Sequence, residues 1–77
     1  MSDILTLYTR AGCPLCEDMA ESVRARMGTH RLLEVDVDTD AELKARYGWE
    51  VPLLFDGDHE ICRHEFDAVA FAARQKG

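Results

Sequence analysis

The sequence predicts an α/β (α+β) fold in which a βαβ unit is followed by a ββα unit, with four strands in one mixed sheet flanked by helices. Three observations predict it. The short β-prone run Ile4-Leu5-Thr6-Leu7-Tyr8 is followed by a helical apolar stripe and then by an alternating run from Arg31 to Val37. Two further apolar runs, Val51 to Phe55 and His59 to Arg63, bracket Asp56-Gly57, a strong signal for a tight hairpin. A last helical stretch closes the order. At 77 residues the chain reads as one domain, 1–77. A domain of this size buries only about 60% of its unfolded surface, so modest stability is expected.

Ile4 to Tyr8 reads as a strand buried on both faces. Arg10-Ala11-Gly12 is a loop, and Pro14 suits the first helical position, which needs no N–H donor. Leu15, Met19, Val23 and Met27 then recur every four residues, with Ala20 beside them, as one apolar stripe ending at Gly28. Leu33, Val35 and Val37 alternate with Glu34 and Asp36 as a second strand. Asp38, Thr39 or Asp40 caps a short helix carrying Leu43 and Tyr47, and Gly48 ends it. The third strand is entered through Pro52, and the last helix begins near Phe66 or Asp67 and packs Phe66, Val69, Ala70 and Ala73. A right-handed crossover makes the first two strands parallel, and helices on the sheet complete the layers.

Composition excludes several classes. The apolar share is 47%, normal for a folded domain. The net charge of -6 argues against nucleic acid, which needs a basic face, and against anionic membranes. No apolar stretch approaches the roughly 20 residues that span a bilayer. Met1-Ser2-Asp3 lacks the basic start of a secretory signal, so the expected compartment is the cytoplasm, where thiols stay reduced. A monomer is the expected state.

Within that frame the pair Cys13-Pro14-Leu15-Cys16 carries the chemistry. It falls where a strand ends and a helix begins. Thiols three positions apart share one side of a helical turn, so they can close a disulfide or grip one metal ion. A helix start presents free N–H groups and partial positive charge, which favour a thiolate, the form that attacks disulfides. Cys13, before the first helical residue, is the expected attacking thiol, and Cys16, inside the first turn, the resolving one. Arg10 offers positive charge nearby, whereas Glu17 and Asp18 oppose a thiolate. With the helix end and Arg10 dominant, Cys13 is expected below the free-thiol value of about 8.5.

Other readings stand beside this one. Cys13, Cys16, Cys62 and His64 offer four zinc-ligand types, although Cys62-x-His64 is tight spacing for a zinc knuckle. Cys62 is expected as a buried strand residue, His30, His59 and His64 as surface residues, and Trp49 as a cover either for the thiols or for the core. Asp36, Asp38 and Asp40 look like the opening of a calcium loop, but Ala41 and Tyr47 stand where that loop needs glycine and glutamate.

Tyr8-Thr9-Arg10-Ala11-Gly12-Cys13-Pro14-Leu15-Cys16, followed by Tyr47-Gly48-Trp49-Glu50-Val51-Pro52, resembles a small glutaredoxin-like member of the thioredoxin superfamily. The likeness runs from Ile4 to about Gln75. It implies a thioredoxin/glutaredoxin-like fold, a cis Val51–Pro52 bond, and a Val51 backbone free to pair with an extended substrate. It also implies that Val51 and Pro52 join Arg10, Pro14 and Leu15 around the catalytic Cys13 and Cys16. No bound cofactor is implied; glutathione is a candidate reductant, and the partners would be disulfide-bearing proteins or glutathione. Two departures stand out. Pro14-Leu15 replaces the usual Pro-Tyr, and Arg63-His64-Glu65-Phe66-Asp67 replaces the family's glycine pair and aspartate, with Asp67 as the candidate acidic residue. Three functional classes follow: a thiol–disulfide oxidoreductase, a binding module of the same fold with negligible turnover, and a zinc domain using Cys13 and Cys16.

Overall fold

A computed structural model describes residues 2–76. Its elements run β1 (Ile4–Thr9), α1 (Pro14–Arg24), β2 (Arg31–Asp36), α2 (Ala41–Tyr47), β3 (Leu53–Asp56), β4 (His59–Arg63) and α3 (Ala68–Lys76), with a single 3-10 turn, Val37–Thr39, after β2. The sheet order is β2-β1-β3-β4. β1 and β2 are parallel, with Leu5 opposite Leu32, whereas β3 runs antiparallel to both β1 and β4. This is the mixed four-stranded thioredoxin/glutaredoxin-like architecture the sequence predicts.

One face of the sheet carries the core. Leu5, Leu7 and Leu54 meet Met19, Ala20 and Val23 of α1 and Phe71 of α3. The α1 stripe differs from expectation at its first member. Cys16 is buried at the head of the stripe while Leu15 stays 53% exposed. Cys16, Met19, Ala20, Val23 and Met27 follow the 3, 4, 7 spacing of one helical face, and Leu15 falls one position off it. The helix also stops at Arg24 rather than at Gly28, which takes a left-handed φ of 61° in the turn beyond.

The opposite face is covered mainly by the short α2. Its Tyr47 ring lies 4.8 Å from Tyr8 and 6.0 Å from Phe55. Because α2 spans only seven residues, the rest of that face is open, and Leu33 on edge strand β2 is 53% exposed instead of facing the core. Leu32 takes the core side and Val37 is buried in the 3-10 turn. Alternation identified the strand, and with leucines at both parities of this edge the fold selects Leu32 for the core side. β1, expected to be buried on both faces, is fully buried at Leu5 and Leu7 but exposed at Ile4.

The β3–β4 hairpin turns through Gly57 and Asp58, with Gly57 at φ 59°, the left-handed geometry that a tight hairpin needs. A bulge between Leu54 and Phe55 leaves Ile61 as the extra residue of β4, so Ile61 and Cys62 both reach the core. In α3 the expectation fails for two residues. Val69 is 80% exposed and Ala73 is exposed, while Phe71 is fully buried and stacks edge-on to Phe66 at 5.5 Å. Asp67 caps this helix by accepting from the Ala70 N–H at 2.9 Å, and the helix starts one residue later than the sequence suggests.

Asp56, at the end of β3, is the only charged residue buried among the described residues. It accepts from the Ser2 N–H at 2.8 Å and from Arg74 Nε at 2.6 Å, so it ties the N-terminal segment and α3 to the sheet. Hydrogen bonds from Ser2, and then the Arg74 partner, hold its carboxyl far below the ordinary carboxylate value of 3.8 despite burial. A depressed carboxylate stabilises the fold above its unfolded-state value, and this stability is lost as pH falls below that value. Asp56→Asn is expected to cost about 2 kcal/mol, a figure reduced for the partly exposed Arg74 partner, and to flatten the acid limb of a stability-versus-pH curve below pH 3.8. Chemical denaturation at several pH values measures both effects. In the same assay Phe71→Ala is expected to cost about 3–5 kcal/mol, and Val69→Ala at most about 0.5 kcal/mol.

Candidate redox site

Cys13 is the residue immediately before α1, in extended geometry at φ -104° and ψ 105°. Its sulfur accepts from the Cys16 N–H at 3.2 Å, so the Cys13 sulfur itself caps the helix. Pro14 stands at the first helical position, as its missing N–H favours. Cys13 and Cys16 form a disulfide, with their Cα atoms 5.2 Å apart. The two sulfurs differ in access. Cys13 is half-buried at the loop, and Cys16 is 2% exposed within the core stripe.

Arg10 does not deliver a free charge to the sulfurs. Its guanidinium forks onto Asp38 at 2.8 and 2.9 Å, and its remaining arm donates to the Gly48 carbonyl at 2.9 Å. The ion pair raises Arg10 and lowers Asp38, chiefly through these hydrogen bonds. Arg10 therefore works as a strut. It fastens the loop that precedes Cys13 to the loop, residues 48–52, that leads into β3. The helix end remains as the local source of positive potential, and Glu17 is the acidic residue of the first turn.

The Val51–Pro52 peptide is cis, as the resemblance implied. Pro52 is buried, and its carbonyl accepts from the His64 N–H at 2.8 Å, which fixes the loop against the end of β4. Among the described residues no backbone hydrogen bond is made by Val51. Trp49, two residues earlier, is 94% exposed, so it covers neither the thiols nor the core. Its ring and the Leu15 side chain are the large apolar groups presented at this end of the molecule.

His64, exposed as expected, also belongs to this frame. It adopts a left-handed φ of 71°, the turn that a glycine makes without cost. Its ring nitrogen Nε2 lies 2.6 Å from Glu50, and Arg63 reaches the same carboxylate at 3.6 Å. Asp67 is occupied in capping α3. Cys62 lies in the core beside Leu54, and burial pushes its thiol up. No group of three or more His, Cys, Asp or Glu residues is arranged to hold a metal ion among the described residues, so Cys62 and His64 do not complete a zinc set with Cys13 and Cys16.

With this geometry in view, the model of the Glutaredoxin-like domain (DUF836) matches residues 4–74. The chain belongs to this glutaredoxin-like family. A search of the curated proteins gives no match. Among solved structures, a structural genomics target from X. campestris is 34% identical at a TM-score of 0.79, covering 94% of this chain and 95% of that one. A protein from Nitrosomonas europaea is 32% identical at 0.78, covering 91% and 87%. A glutaredoxin from Brucella melitensis is 28% identical at 0.57, covering 95% and 79%. The glutaredoxin-like chain is thus a thioredoxin-fold redox protein with a close Cys13–Cys16 pair. No helix among the described residues is long and apolar enough to cross a membrane.

Gly48 connects the strut to α2. A side-chain carbon there would run into the Lys44 carbonyl and crowd the Arg10 guanidinium. Gly48→Ala is therefore expected to break the last hydrogen bond of α2 and loosen the loop ahead of Pro52. An overpacking cost of about 1–3 kcal/mol corresponds to a fall of several degrees in melting temperature. Faster amide exchange at Gly48 and Trp49 would identify the local cause.

Proposed function

We propose that this chain is a thiol–disulfide oxidoreductase of glutaredoxin type that uses its Cys13-Pro14-Leu15-Cys16 dithiol to reduce protein or glutathione mixed disulfides. The observation that carries this reading is the asymmetry of the pair. One sulfur caps a helix within reach of solvent, and its partner is buried but bonded to it. That asymmetry suits two successive displacements, the first by Cys13 at a substrate sulfur and the second by Cys16 at the Cys13 sulfur.

In the first step the Cys13 thiolate attacks one sulfur of a substrate disulfide. A Cys13–substrate bond forms, the substrate S–S bond breaks, and the departing thiolate takes up a proton. In the second step Cys16 gives up its proton and attacks Cys13, releasing the remaining substrate thiolate and leaving the Cys13–Cys16 disulfide. Two electrons pass from the dithiol to the substrate, and an external thiol, such as glutathione, or a reductase restores the protein. Backbone N–H groups at the head of α1 stabilise the Cys13 thiolate as the attacking group. Arg10 acts by positioning the two loops. Val51, beside the cis-proline, offers free backbone to an extended substrate strand, and Leu15 supplies apolar contact next to the sulfurs. A reducing cytoplasm and a monomer suit this cycle, which calls for no bound cofactor, metal, membrane or nucleic acid.

Mild oxidation of the reduced protein is expected to lower its intact mass by about 2 Da, reversibly with a dithiol. Cys13→Ser abolishes turnover of a glutathionylated substrate. Cys16→Ser accumulates the mixed disulfide, and its Cys13 thiolate absorbance titrates below about 8.5. Reversible oxidation without any turnover of disulfide substrates would favour the binding-module reading instead.

A further inference from the structure

The charged groups around the disulfide are unevenly satisfied. Each cation of this end is already held by an acid of the scaffold itself. Arg10 is forked onto Asp38, Arg63 binds Glu60 at 2.8 Å through Nε and also reaches Glu50, and His64 is bonded to Glu50. The acids nearest the sulfurs are not paired. Glu17 and Asp18 follow Cys16 directly on α1, and Glu65 follows His64; none of the three makes an ion pair or side-chain hydrogen bond among the described residues. Each lines a cleft that includes a chain neighbour of the disulfide, Leu15 on one side and Gly12 on the other. A cleft of about 300 Å³ beside α1 is lined by Leu15, Asp18, His64, Glu65 and Phe66. A second, of about 260 Å³ on the other flank, is lined by Gly12, Glu17 and Asp36, with Arg10 as its committed cation. Leu15, in the wall of the first cleft, is exposed, and so is Trp49 on the loop before Val51.

Such a surface is poorly matched to oxidised glutathione, which carries four carboxylates and two ammonium groups. It is well matched to a chain segment of opposite sign. Resting on the dithiol reading above, we propose that the substrate class of this site is an extended, cysteine-bearing protein segment with lysine or arginine and an apolar residue beside the cysteine. Glu17, Asp18 and Glu65 set that preference. The segment pairs along the free Val51 backbone, places its apolar residue on Leu15 and Trp49, and lays its cations into the two acidic clefts. Charge complementarity of this kind acts mainly on the rate of encounter and is screened by salt.

The test uses the reduced full chain and three oxidants: a disulfide-linked peptide dimer with lysines flanking the cysteine, the same dimer with glutamates, and oxidised glutathione. Formation of the Cys13–Cys16 disulfide is followed by mass after acid quenching. Each rate is divided by the rate of dithiothreitol with the same oxidant, which removes the oxidant's intrinsic reactivity. The lysine dimer is expected to react roughly tenfold faster than either anionic oxidant at low ionic strength, on the order expected for a few screened charges. The advantage shrinks towards unity near 1 M salt, where the screening length is about 3 Å. In the Glu17→Gln/Asp18→Asn/Glu65→Gln variant it falls to about twofold at low salt. Equal normalised rates, a preference for the glutamate dimer, or an advantage untouched by both salt and substitution would overturn the proposal. Reaction with none of the three oxidants would instead remove the dithiol reading beneath it. The salt series on the unsubstituted protein decides the matter even where the triple variant does not fold.

Discussion

The site depends on the head of α1 being seated at the end of β1 with Cys16 inside the core and Cys13 outside it. Packing of Met19, Ala20 and Val23 against Leu5, Leu7 and Leu54, with Cys16 buried on the same helix face, fixes the rotation of the helix. Given that rotation, the residue three positions before Cys16 must occupy the cap, and its sulfur accepts the Cys16 N–H. A helix turned by one residue would bury Leu15 and swing both sulfurs off this geometry. The apolar stripe and the redox pair are therefore one constraint, since Cys16 belongs to both.

The second half of the site is carried by loops, and polar contacts replace hydrophobic packing there. The Arg10 fork to Asp38 and Gly48 ties the loop before Cys13 to the loop before Pro52. The His64 N–H bond to Pro52, together with the His64–Glu50 contact, ties the same loop to the end of β4. These are partly exposed interactions, individually weak in water. Their importance is geometric, because they restrain a short irregular segment from both sides. They also consume the cations of this end, which leaves the carboxylates of Glu17, Asp18 and Glu65 without a cation partner among the described residues. One set of ion pairs thus serves both the shape and the sign of the surface.

Away from the site the fold uses two different fastenings. The core side relies on apolar contact, with Phe71 closing the cluster against Phe66. The far end of the sheet relies on the buried Asp56 carboxylate, which gathers Ser2 and Arg74. The face under α2 is more sparsely covered, since a seven-residue helix shelters Tyr8 and Phe55 but leaves Leu33 open.

The sequence by itself determined the order of elements, the parallel βαβ pairing, the hairpin at Gly57 and the thiol pair at a helix start. These follow from periods, turn residues and spacing, which act over a few positions. The cis bond at Pro52 was legible only through the family likeness. Tertiary structure alone decided which parity of each element faces inward. Leu15 yielded to Cys16, Leu33 to Leu32, and Val69 to Phe71, because a one-residue offset in an apolar run is invisible until a partner surface selects a face. It also decided that Arg10 is a strut, that His64 makes a glycine-like turn, and that a bulge sends both Ile61 and Cys62 inward. Their partners lie 28 to 38 positions away for Arg10 and across strands for the others, and no local pattern encodes a contact at such distance.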